Sequence, residues 1–109
     1  MINSKNMIQD TYLPGAAAAL YTVPAGYRDV VKEIILCNTD VNPIVISIYY
    51  LKNAGTLAKG TILDSVSLNA HETKTLSLSS VLNAGDAIEG VAGTADKVAI
   101  YASGYEENV

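Results

Sequence analysis

The chain has 109 residues, enough for one domain that buries a working core without disulfides or structural metals. Half of the residues are apolar and 17% are charged, a balance that packs and does not stay disordered. A formal net charge of −4 and scattered basic residues exclude a protein that holds duplex nucleic acid by neutralising phosphates.

The single cysteine, Cys37, excludes an internal disulfide and a cysteine-built zinc site. The opening "MINSKNMIQD" lacks the apolar core of a signal peptide, and no apolar run approaches the roughly 18 residues of a membrane helix. The expectation is a product made in the cytoplasm that stays soluble, with no membrane partner. There is no Trp or Phe, so seven tyrosines carry all the aromatic mass, and Ile, Val, Leu and Ala build the core.

The first sixteen residues are polar and aperiodic and end at the breaker Pro14-Gly15. They read as an N-terminal arm (1–16), mobile alone or ordered against a neighbour, ahead of a single domain over 17–109. Ala18–Val23 reads as a strand, because Pro24 stops any helix begun by "AAAAL". Pro24-Ala25-Gly26 is a tight corner, in which Pro fixes φ and Gly can take positive φ. Arg28–Asn38 is the next strand, and "NTDVNP" connects it to "PIVISIYYL".

In Pro43–Leu51, Ile44, Ile46, Ile48 and Tyr50 alternate with Val45, Ser47, Tyr49 and Leu51. Thr61–Leu68 sets Ile62, Val66 and Leu68 against Leu63, Ser65 and Ser67. His71–Leu78 and Asp86–Ala92 are shorter and more polar. Ser79 or Ser80 offers a cap for a short helical turn near "SSVLNAGD". Asp96–Tyr105 sets Val98, Ile100 and Ala102 against Ala99, Tyr101 and Ser103. A period of two is the mark of strands. The fold expected is all-β: an antiparallel, jelly-roll-like β-sandwich of about seven or eight short strands. The Ser and Thr faces of Thr61–Leu68 and His71–Leu78 face solvent. Val30–Cys37 and Ile44–Leu51 are apolar on both faces, so one face needs a cover from a loop, the arm or another subunit.

Catalytic chemistry is sparse. A triad or general base would have to centre on His71, which sits in "NAHET" between two strands and reads as a solvated turn residue. Asn38, Asp40 and Asn42 alternate like the start of a calcium loop, but the glycine and glutamate such a loop needs are missing, and turn-building explains them. Cys37 reads as a small buried apolar residue. "NAGDAIEG" and "NAGTLAKG" lack the spacing of phosphate-binding loops. No catalytic, cofactor-binding or metal-binding residue is assigned. Tyr49, Tyr50, Tyr101 and Tyr105 fit core or interface packing better than a stacking platform, since only Lys52 lies near the Tyr pair.

Leu20-Tyr21-Thr22-Val23-Pro24-Ala25-Gly26, followed by Val31, Ile34 and Cys37-Asn38-Thr39, resembles the opening of small β-sandwich virion proteins of tailed bacteriophages. "PIVISIYYL", "LNAHETKTL" and "LNAGDAIEGVAGTADKVAIYASGYE" are similar to the later strands of that family, so the resemblance runs from Ala18 to Glu106. It implies a non-enzymatic virion structural protein of the capsid decoration or head-fibre type. Such a protein is synthesised in the bacterial cytoplasm and docks on phage capsid or tail proteins. The alternative is a tail, collar, receptor-binding or carbohydrate-binding module, supported by the tyrosines and the loop Lys52–Gly60, with a glycan as the weaker ligand. Self-association, for example as a trimer, follows from the need to cover apolar strands. The interface expected combines the arm (Met1–Gly15) with the flank of Val30–Leu51, and names Ile8, Tyr12, Leu13, Tyr49, Tyr50 and Tyr105.

Overall fold

The computed structural model describes residues 2–52 and 59–109, without the side chain of residue 59. Eight strands follow one another: β1 (Ile2–Tyr12), β2 (Ala18–Thr22), β3 (Tyr27–Asn38), β4 (Ile44–Leu51), β5 (Lys59–Leu68), β6 (Thr73–Leu82), β7 (Ala87–Ala92) and β8 (Val98–Asn108). They form two antiparallel four-stranded sheets, ordered β1-β8-β3-β6 and β2-β7-β4-β5. Apart from the β4–β5 hairpin, the chain changes sheet at every connection, which is the jelly-roll arrangement. The expected antiparallel β-sandwich is the observed fold.

The core lies between the sheets and is almost wholly aliphatic. Ile34 and Leu36 of β3 and Ile100 of β8 face Ile46 and Ile48 of β4 and Ile88 of β7, all fully buried. Along β8, Val98, Ile100 and Ala102 point inward as their alternation requires. At Pro24-Ala25-Gly26 the Tyr27 N–H donates to the Pro24 carbonyl at 3.3 Å, and Gly26 takes φ 85°. Glycine adopts that left-handed backbone without the clash a Cβ brings.

Four segments differ from the sequence reading. Residues 2–12, read as part of an arm, form the edge strand β1, paired with β8 and burying Met7 and Ile8. Register shifts after Asn6 and after Ile8, with Asp10 at φ 52°, erase the period of two that would have announced a strand. In β5, bulges opposite Ser47 and beside Ile62 break the alternation. Leu63 therefore pairs with Ile48 and packs on the core together with Ile62. Ser47, between two isoleucines, is buried and accepts the Ser65 N–H at 2.9 Å. The residues near "SSVL" form no helical turn. Ser79–Leu82 instead extend β6, and the turn follows at Asn83–Asp86.

The Asn and Asp residues of the β3–β4 connection build its turn. Asn38 is fully buried, and its amide donates to the carbonyls of Asn42 (2.9 Å), Leu68 (3.2 Å) and Asn69 (3.2 Å). Its side-chain oxygen accepts the Asp40 N–H at 2.9 Å. One asparagine thus joins the β3–β4 and β5–β6 connections at one end of the sandwich. At the inner face of β4, the Tyr50 hydroxyl is buried near Ser80 without a well-formed hydrogen bond among the described residues. Burial pushes its pKa up, against a smaller opposing pull from Ser80. Tyr50→Phe removes an unsatisfied polar atom at constant shape. It is expected to leave stability unchanged or raise it by up to about 1 kcal/mol in a denaturant titration. A loss beyond that range would show that the hydroxyl is satisfied.

Candidate assembly surface and an ionisable cluster

Cross-strand register places three bands on the outward face of the β1-β8-β3-β6 sheet. At one end Ser4, Tyr105, Val30 and Val81 form a row across all four strands, with Ile2, Glu107 and Arg28 beyond it. The middle row is Asn6, Ser103, Glu33 and Ser77, with the bulged Lys32 beside it. At the other end lie Tyr12, Ala99, Cys37 and Thr73, next to Tyr101, Ile35 and Thr75. Of the exposed large apolar side chains of the described residues, Ile2, Tyr12, Val81, Tyr101 and Tyr105 are on this one face. Such concentration is the usual mark of an interaction surface, whereas scattered exposed apolar residues are not.

The sequence-predicted interface residues divide between surface and core. Tyr12 and Tyr105 lie on the outward face. Ile8 and Leu13 are 4% and 0% exposed, because β1 and the segment after it close one edge of the core. Tyr49 and Tyr50 are half-buried and belong to the other sheet. The tyrosine pairs Tyr49/Tyr50 and Tyr101/Tyr105 therefore do not meet in one platform. Cys37, expected in the core, is half-buried on the outward face. Most of the loop Lys52–Gly60 lies outside the described residues. The face was hard to find in the sequence because its key register depends on Lys32, an extra residue in β3 opposite Ser103-Gly104. A shallow groove of about 410 Å³ sits there, lined by residues that include Lys32, Ser103, Gly104 and Tyr105.

On the inward side, four ionisable side chains from four strands converge. Lys5 of β1 binds Glu106 of β8 at 2.6 Å, and its ammonium stands 5.2 Å from the centre of the Tyr21 ring of β2. The Tyr21 hydroxyl donates to Oδ2 of Asp29 on β3, which is fully buried and pairs with Glu106 across the ladder. Asp29 Oδ1 has no hydrogen-bond partner among the described residues. Burial raises the Asp29 pKa, and the adjacent Glu106 carboxyl adds to the rise against Tyr21 and Lys5. Lys5 holds Glu106 below the usual carboxylate range despite burial. Tyr21 is pushed up to about 12 by burial and by Asp29. Burial alone would lower Lys5, but its bonds to Glu106 and Tyr21 win and raise it. Asp29 lines neither the groove nor the smaller depression beside Tyr105, whereas Lys5 lines the groove and Glu106 the depression.

His71 is exposed in the β5–β6 turn at φ 59°. Among the described residues no three or more His, Cys, Asp or Glu gather as metal ligands, and no helix is long and apolar enough to cross a membrane.

No protein-family model and no curated protein matches the chain. Solved structures share its fold over almost its whole length. A chain from the structure of infectious bursal disease virus, Gx strain, is 12% identical with a TM-score of 0.55, covering 97% of this chain and 31% of that one. A chain from the VP2 subviral particle of the same virus is 11% identical with a TM-score of 0.56, covering 97% and 31%. A Bacillus endospore appendage, described as a novel family of disulfide-linked pili, is 14% identical with a TM-score of 0.60, covering 99% of this chain and 88% of that one. The chain thus spans about a third of the viral chains it matches and most of the appendage chain. At these identities the likeness is one of fold.

Proposed function

We propose that the chain is a structural protein of a tailed-phage virion, of the capsid decoration or head-fibre type, that docks through protein–protein contacts. The observation that carries this reading is the gathering of exposed apolar side chains on one face of a jelly roll. The solved structures of like fold include chains of capsid-type particles, and the sequence resembles small virion proteins from Ala18 to Glu106. Immunogold labelling of particles from the host that makes this protein is expected to place gold over heads. Gold confined to tails would move the assignment to a tail or collar component, and unlabelled particles would remove the virion reading.

The likeness to the endospore appendage covers nearly all of both chains and favours a second reading, a repeating subunit of an extracellular filament. The same labelling separates the two, since a filament subunit puts gold along fibres on cells and none on particles.

A further inference from the structure

The outward face of the β1-β8-β3-β6 sheet is exposed in the single chain, and its chemistry specifies what covers it. We propose that this face is the contact between two copies of the chain, related by a two-fold axis through its central polar row. The proposal deepens the structural-protein reading and rests on it for its setting.

Charge is the first argument. Arg28 and Lys32 balance Glu33 and Glu107 among the side chains that register places on this face, so the net −4 of the chain is carried elsewhere. Two copies of an acidic chain therefore meet here with less repulsion than at surfaces carrying that excess. Lys32 and Glu33 are adjacent at the centre, and a self-complementary contact sets each Lys32 against Glu33 of the partner subunit.

Area is the second. Four strands about 4.8 Å apart and about nine residues long span roughly 600 Å² per copy. The two copies together bury roughly 1,200 Å², the lower limit for a specific stable interface. The apolar rows at both ends supply the desolvated contact, with Tyr12, Tyr101 and Tyr105 as the aromatic anchors that interfaces favour. The groove beside Lys32 lies in the central row of the contact.

Sedimentation equilibrium of the full chain is expected to show a monomer–dimer equilibrium that Val81→Glu and Tyr101→Glu each weaken by about tenfold or more. Both positions are exposed, 50% and 43%, so the variants keep the thermal unfolding of the isolated chain. Lys32→Glu and Glu33→Lys should each weaken the dimer, and the double exchange should restore it, because the pair then meets with its signs reversed. A chain monomeric at every concentration, a three-fold assembly, or a dimer indifferent to both glutamates overturns the proposal. If the chain stays monomeric and Val81→Glu abolishes attachment to particles, the second copy is overturned and the virion reading survives. A dimer that responds as expected, beside unlabelled particles, upholds the contact and removes the virion reading.

Discussion

Gly104→Ala is expected to destabilise the chain by at least about 3 kcal/mol. A Cβ at Gly104 would lie 1.9 Å from the Val30 carbonyl oxygen and 3.0 Å from the Lys32 nitrogen. Both are backbone atoms of β3, held in the ladder with β8, so neither can swing aside as the end of a side chain would. The crowding comes from the bulge: β3 spends an extra residue, Lys32, between the partners of Gly104 and Ser103, and its backbone leans toward β8 there. At about 4–8 °C per kcal/mol for a domain near this size, the melting temperature should fall by at least about 12 °C. Ser103→Ala, next door on the outward face, should change stability by less than about 0.5 kcal/mol. A Gly104→Ala variant within about 1 kcal/mol of the wild type would show that β3 and β8 separate freely at the bulge. Because the same bulge turns Lys32 outward and shapes the groove, the variant also probes the proposed contact face.

The bulges also decide what the sequence could reveal. Strands β3 and β7 were legible within one residue and β8 within three, because Val98, Ile100 and Ala102 alternate without interruption and Gly26 and Gly85 mark turns with positive φ. Strand β1 was not, since its buried residues Met7 and Ile8 are adjacent where a regular strand would separate them by one. Leu63 was placed on the wrong face for the same reason. Isoleucines and valines on both sides of β3 marked its second face as apolar, and Val30 and Ile35 lie half-buried on the outward face. Which of them face out together, however, is set by cross-strand register, and register depends on partners far away in the chain. The ionisable cluster was invisible in sequence for a related reason: Lys5, Tyr21, Asp29 and Glu106 share no motif and come together only when the two sheets stack.

That cluster gives the second large expected effect. The Asp29 carboxyl is buried, and its pKa in the folded chain is raised above the ordinary aspartate value. Between the unfolded and folded values the folded chain holds one more proton than the unfolded chain. The stabilisation is therefore complete below about pH 4 and is lost as pH rises through the folded value, by up to about 1.4 kcal/mol per pH unit. Glu106 works in the opposite sense. Its folded pKa is lowered by Lys5, so its contribution is present above its unfolded value and lost as pH falls through the folded one. Asp29→Asn keeps the shape and can still accept the Tyr21 hydroxyl and donate toward Glu106, but it has no proton to lose. Thermal unfolding from about pH 2 to pH 8 should therefore show the variant gaining on the wild type as pH rises above about 4, with the acid limb due to Glu106 retained. Parallel profiles would mean that Asp29 is already ionised and its Oδ1 satisfied. The cluster ties the edge strand β1 and the facing strand β2 to the two central strands of the sheet, through Lys5 on Glu106 of β8 and Tyr21 on Asp29 of β3.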